Sequence, residues 1–282
     1  MSSKKTNNED HSSNETADFR FFKNSSLQGL VSSRLSVKAI ESLHGLDLLL
    51  QKAELDKDSN STTAGVIELD GHKYFLKRYN NKNFKRKLKN SVRQTRPFKV
   101  LKTSHVISAA GIFTPEVYAA LNYRRGLLLE SSYLLSAFLD SSKTADKVIE
   151  SLTGEEKFEI FVDEICQLLV KIHDAGIFHG DVKTSNIIVI SNDDNSYDLG
   201  LLDLDGSHCY SETLAAKKRT YDLARLISSY FLTCKSKKIA VKNLDELRDC
   251  FAQQYCNISG MDLPRERLAR RTEYLSTRVR KK

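Results

Sequence analysis

Hydrophobic and polar positions along the 282-residue chain change their period near the middle. In the first half the apolar runs are short and alternate. Residues 64–69 and 73–79 read as two strands joined by Asp70 and Gly71, a pair suited to the positive φ of a tight hairpin turn. Residues 47–54 read as a further strand and 56–63 as a polar loop. Residues 117–121 and 126–138 complete a strand-rich region. Between them, Val92, Val100, Leu101, Val106 and Ile107 fall at loose helical spacing across 84–110. Pro97 is expected to interrupt that stretch and Gly111 to end it. In the second half the period lengthens to that of a helix. Phe158, Phe161, Ile165, Leu168, Leu169 and Ile172 follow the capping pattern Thr153-Gly154-Glu155-Glu156 and stop before Gly176. Another apolar helix opens at residues 221–226 and runs to Leu232, and Asp262-Leu263-Pro264 begins a terminal one. Aliphatic runs at 187–190 and 199–202 interrupt the helical half. The elements predict an α+β protein: a disordered tail over 1–18, a strand-rich lobe over 19–138 and a mainly helical lobe over 139–282.

Charge changes this picture by its distribution. The formal net charge is +8. No Asp or Glu occurs from Gly71 to Pro115, a stretch holding Lys73, Lys77, Arg78, Lys82, Lys85, Arg86, Lys87, Lys89, Arg93, Arg96, Lys99 and Lys102. Arg265, Arg267, Arg270, Arg271, Arg278, Arg280, Lys281 and Lys282 form a second basic block near the end. Such runs are either solvated faces or surfaces for a polyanion: nucleotide phosphates, an anionic glycolipid or an acidic membrane leaflet. No nucleic-acid-binding motif accompanies the charge, so nucleic acid is not an expected partner. No apolar run reaches the roughly 18–20 residues that span a bilayer. The polar N-terminus lacks the apolar core of a secretory signal. The five cysteines are scattered, with no C-x-x-C pair, which argues against a disulfide framework or zinc site and predicts a cytoplasmic setting.

The candidate chemistry lies in residues 178–189 and 201–205. His179-Gly180-Asp181 is followed by Lys183 and Asn186, then by Asp203-Leu204-Asp205. This order matches a phosphoryl-transfer site. Asp181 is placed to take the proton of an attacking hydroxyl, and Lys183 to neutralise charge on the transferred group. Asn186 and Asp203 offer the few hard oxygens that Mg²⁺ needs beside nucleotide phosphates. Asp205 is either a second metal ligand or a structural acid. His179 reads as a loop-organising hydrogen bonder, and Asp222 as an anchor for the loop's backbone amides. Lys77, ending the strand 73–77, has the placement of a lysine that grips the α- and β-phosphates of ATP, with Lys73 and Arg78 as competitors. Two usual parts are missing. No G-x-G-x-x-G precedes Lys77, so residues 58–65 would cover phosphates with hydroxyls and backbone amides. No Glu between Gly71 and Pro115 can pair with Lys77.

With these motifs and residues 222–226 (Asp-Leu-Ala-Arg-Leu), the chain resembles the lipopolysaccharide-core kinases, the Kdo/heptose kinase family. Residues 74–79, 111–115 and 202–206 add to the likeness, which spans roughly 46–232. The resemblance implies a bilobal protein-kinase-like fold and an ATP- and Mg²⁺-dependent transfer of phosphate to a sugar hydroxyl of the lipopolysaccharide inner core. It also implies an anionic glycolipid or oligosaccharide acceptor, and work at the cytoplasmic face of the inner membrane with peripheral contact to acidic lipid. Two other readings stay open: an atypical Ser/Thr protein kinase, and a pseudokinase-like nucleotide-binding module.

Overall fold

A computed structural model describes residues 18–81, 83–139, 143–152, 155–191 and 197–278. Two compact units emerge: residues up to 98 with 117–138, and residues 99–116 with 139 onward. The tail expected over 1–18 lies outside the described residues except for Asp18, whose carbonyl accepts the Ser33 N–H at 2.8 Å.

The first unit is a seven-stranded antiparallel sheet. Its strands are β1 (Phe19–Lys23), β2 (Leu27–Ser32), β3 (Glu54–Asp58), β4 (Thr62–Leu69), β5 (His72–Asn80), β6 (Val117–Arg125) and β7 (Leu128–Ala137). The spatial order is β1-β2-β6-β7-β5-β4-β3. The predicted hairpin forms with Glu68 opposite Lys73, and both turn residues take positive φ (Asp70 49°, Gly71 76°). Helices α1 (Val37–Ser42) and α2 (Leu46–Lys52) pack Ala39, Leu46 and Leu50 with Leu76, Leu121 and Leu135 of the sheet.

Two expectations fail here. Residues 47–54 are mostly helix, not strand: Leu46 and Leu50, one turn apart, are buried, while Leu48 is 62% exposed. That is a helical stripe rather than an alternation. Residues 56–63, expected as a loop, belong largely to the β3–β4 hairpin, whose polar side chains are exposed on an edge strand. Helices α3 (Phe84–Ser91) and α4 (Arg96–Ala109) are separated at 92–95, so Pro97 sits in the first turn of α4, where its missing N–H costs nothing.

The second unit is mainly helical: α5 (Ala145–Val148), α6 (Glu155–Asp174), α7 (Ala216–Ser236), α8 (Leu244–Ser259) and α9 (Arg265–Arg278). The capping pattern proposed at Thr153 and Gly154 lies outside the described residues, but every predicted core residue of α6 is buried. Phe161 stacks on Tyr230 of α7 with ring centres 5.6 Å apart. Two short ladders complete the unit: β8 (Ile177–Phe178) with β11 (His208–Cys209), and β9 (Ile187–Ser191) with β10 (Tyr197–Leu201). Residues 99–116, assigned by sequence to the first lobe, group with this unit. The Phe113 carbonyl accepts the Leu201 N–H at 2.9 Å, tying the segment after α4 to β10. Among the described residues no helix is long and apolar enough to cross a membrane.

Candidate active site

The Asp181 loop hangs between two short ladders and is held from beneath by a buried carboxylate. After β8 the chain turns at Gly180, whose φ is 76°. A Cβ there would meet the Gly206 carbonyl at 3.0 Å, so conformation and space both ask for glycine. Asp222 of α7, fully buried, accepts the N–H groups of His179 and Gly180, each at 2.9 Å. A buried carboxylate is tolerable only when its oxygens are satisfied. His173 supplies a further contact, its Nε2 lying 3.4 Å from Asp222.

Burial pushes the His173 pKa down, which favours the neutral ring. The partners then assign its tautomer: Nε2–H donates to Asp222, and Nδ1 accepts the Tyr255 hydroxyl at 2.7 Å. The Tyr255 oxygen accepts Arg219 at 3.0 Å, and Arg219 also donates to Asp174 and to the Leu214 carbonyl, both at 2.6 Å. Burial raises Tyr255 to about 12, keeping the phenol a donor. His179 is ordered the same way. Its Nδ1 accepts the Asp181 N–H at 3.3 Å and its Nε2 donates to the Leu202 carbonyl at 3.1 Å.

Above this anchor, the half-buried Asp181 carboxylate meets three side chains. Arg225 of α7 donates to Oδ1. Lys183 Nζ stands 3.3 Å from Oδ2, and Asn186 Nδ2 lies 3.4 Å from Oδ2 and 3.0 Å from the Asp181 carbonyl. Asp181, Lys183 and Asn186 are thus brought together. The Leu202 N–H donates to the Asn186 carbonyl at 2.8 Å, which sets Asp203 beside the Asn186 backbone. Asp203 takes φ 54°, a left-handed conformation that Asp adopts more readily than most residues. Asp205 sits half-buried in a 3₁₀ turn, Leu204–Gly206.

Lys77 belongs to the first unit. It lies opposite Ala64 of β4 and Leu134 of β7, so its side chain leaves a central strand between two buried neighbours. Arg78 points to the opposite face and pairs with Asp47 at 3.2 Å. Lys73 is exposed at the start of the strand, its Nζ 6.0 Å from the Phe138 ring centre. Where a helix glutamate was missed, α3 carries the opposite charge: Lys87 pairs with Glu130 of β7.

A family model described as the lipopolysaccharide kinase (Kdo/WaaP) family matches residues 49–251, well over half of the chain. The chain belongs to that family. This lipopolysaccharide kinase family member is also similar to a solved structure of WaaP in complex with acyl carrier protein. That match has a TM-score of 0.54 at 14% identity and covers 82% of this chain and 90% of the other, a likeness of fold. Two curated relatives are serine/threonine-protein kinases DCLK3, from Mus musculus (32% identical over 72 residues) and Homo sapiens (33% over 72). Each match covers 25% of this chain, and the chain spans 9% and 11% of those proteins' lengths. The expected fold class stands: a kinase, with a strand-rich first unit and a helical second.

Whether the site suits a magnesium ion follows from its donors. Among the described residues no three His, Cys, Asp or Glu side chains cluster as a ready-made cage. An amide oxygen and a carboxylate nevertheless fit Mg²⁺, which keeps its waters and takes the rest from phosphates. With Asn186 Nδ2 occupied by Asp181, its Oδ1 is the oxygen left to meet a cation.

Arg225 and the His173–Tyr255–Arg219 chain escaped the sequence reading. For Arg225 a signal existed, because it follows Asp222 by three residues and so faces the same loop. For the chain there was none, since its members lie up to 82 residues apart.

Proposed function

We propose that this kinase transfers phosphate from ATP to a sugar hydroxyl of the lipopolysaccharide inner core. The observation that carries the reading is Asp181 fixed by Arg225, Lys183 and Asn186 above an Asp222-anchored backbone. A hydroxyl is a weak nucleophile until a positioned carboxylate can take its proton, and Asp181 meets that need. Lys183, touching the same carboxylate, is placed to balance charge on the moving phosphoryl group. Asn186 and Asp203 are the ligands for Mg²⁺, with Asp205 as a further ligand or a structural acid. Bound there, the ion would neutralise phosphate charge. Lys77 grips the nucleotide phosphates. The basic segments would favour an anionic acceptor and peripheral contact with the cytoplasmic face of the inner membrane. Part of the second basic block, residues 279–282, lies outside the described residues.

The stretch shared with DCLK3 favours a second reading, protein phosphorylation. Against it, β11 ends at Cys209 and α7 begins at Ala216, so only residues 210–215 remain where a peptide-docking segment would lie. Incubating the purified chain with labelled ATP, Mg²⁺ and core oligosaccharide decides between them. Label on the sugar is expected, and label confined to protein would sink the sugar assignment. Asp181→Asn should lower transfer by about 10²–10⁴-fold and leave nucleotide binding intact. Near-wild-type turnover would remove Asp181 as the base.

A further inference from the structure

Within the second unit a groove of about 370 Å³ opens beside the Asp181 loop, between α7 and α9. Helical spacing explains its walls. Arg225, Ser229, Leu232, Thr233 and Ser236 recur at three- and four-residue steps and share one face of α7. Leu275 of α9 and Lys183 of the loop close the groove. Its floor is fixed, because Ser228 donates to the Thr272 carbonyl of α9 at 3.0 Å and is itself buried. Thr184 holds Ser229 and Thr233 in place, its hydroxyl 3.0 Å from each.

The chemistry is graded along the groove. At one end Lys183 and Arg225 both contact Asp181. Arg271, one turn before Leu275 on α9, lies 4.2 Å from the Tyr221 ring centre, and Arg225 lies 5.9 Å from the same ring. Lys183 and Arg225 therefore share a single carboxylate, Arg271 stands over the ring that Arg225 also approaches, and among the described residues no acidic side chain lines the groove. The Nε–H groups of Arg225 and Arg271 are buried with no hydrogen-bond partner, so the protein leaves both guanidiniums short of acceptors. Farther along, the hydroxyls of Ser229, Thr233 and Ser236 alternate with the aliphatic Leu232 and Leu275. A lipid tail would want the leucines without the hydroxyls, and a bare phosphate would want only the cations. A sugar ring presents hydroxyls at its edges and C–H groups on its faces, and matches the mixture. The volume falls within the range of small-ligand sites.

We propose that this groove is the acceptor subsite and that it takes an anionic sugar, with Arg225 and Arg271 against its carboxylate or phosphate and its ring along α7. The inference rests on the sugar-phosphorylating reading above and adds where the acceptor sits and why it must be charged. Three soluble probes test it on the full chain with ATP and Mg²⁺: a sugar-acid oligosaccharide, a phosphorylated neutral oligosaccharide, and the same oligosaccharide without phosphate. Wild-type protein should show the lowest acceptor KM for one of the charged probes, and that probe identifies the anion. Arg271→Gln should raise that KM roughly tenfold or more, the loss of one charge-assisted contact. Arg271→Lys should recover part of it. Ser236→Trp, on an exposed position, should raise the acceptor KM by obstruction while the KM for ATP stays put. This second variant decides the matter if Arg271→Gln lowers the melting temperature. Equal KM values for charged and uncharged probes, or unchanged acceptor KM in both variants, would overturn the subsite and leave the kinase reading standing. Failure of the wild type to phosphorylate any of the three would overturn the sugar reading and the subsite with it.

Discussion

Two loops of this kinase, the one carrying Asp181 and the tip of the β3–β4 hairpin, are built on opposite plans. The loop carrying Asp181 is tied to residues distant in sequence, its amides to a fully buried carboxylate: Asp222 on the amides, Arg225 on the Asp181 carboxylate and the Leu202 carbonyl on His179. The tip of the β3–β4 hairpin, expected to cover nucleotide phosphates, is held mostly by itself. Ser59 and Thr62 exchange three bonds of 2.9–3.1 Å, and Thr63 donates to Asp58 at 3.1 Å. Its ties to more distant residues run to Asn80, as in the Asn80 N–H to the Ser61 carbonyl at 2.9 Å. Local bonds open at small cost, whereas bonds into a core open only with the core. The difference assigns rigidity to the loop proposed to aim a proton acceptor and compliance to the loop proposed to admit a nucleotide.

The contrast breaks most sharply at Asp222. Asp222→Ala should cost about 3–5 kcal/mol of stability, because it strands two loop amides and disrupts a buried polar chain. Chemical denaturation checks the figure, and a loss below about 1 kcal/mol would mean the anchor is not where the loop draws its order. A smaller effect is set by pH. His173 is held below its ordinary value of 6.5 by burial. The unfolded chain therefore binds a proton that the folded chain refuses, so stability present above that value is lost as pH falls from it toward the folded pKa. The melting temperature should drop across that window, and His173→Gln should flatten the drop. An equally steep profile in the variant would point to other groups. The smallest effect belongs to the hairpin: Ser59→Ala should change stability by no more than about 1 kcal/mol, since it removes an exposed local bond. A loss as large as that of Asp222→Ala would erase the distinction between the loops.

The legible parts of the site are those whose logic is local in sequence. Asp181, Lys183 and Asn186 fall within one loop, and the structure brings them together. The β4–β5 hairpin was readable from Asp70 and Gly71, and α6 from its apolar spacing. Helix α8 was readable but not read: Asn243 and Glu246 form a reciprocal cap, and Leu247, Phe251 and Tyr255 follow at helical steps. Leu46 to Leu50 misled because three consecutive leucines satisfy either period, and only packing beneath the sheet selects the helix. Residues 99–116 could not be assigned from sequence, since what ties them to the second unit lies far along the chain, as in the Phe113–Leu201 bond and the contact of Cys209 with Thr103. Arg225 stood in a motif already singled out for its aspartate, and its second role needed the folded loop to become visible.

The buried carboxylate beneath the loop has a consequence in time as well as in space. The amide protons of His179 and Gly180 end on Asp222, inside α7 and away from water. Solvent deuterium can replace them only when α7 comes away from the core, a motion on the scale of global unfolding rather than of loop breathing. The two residues that precede Asp181 should thus be among the slowest-exchanging in the chain, although they occupy a loop. Loop residues are usually the first to exchange; here the segment nearest the chemistry keeps the clock of the core.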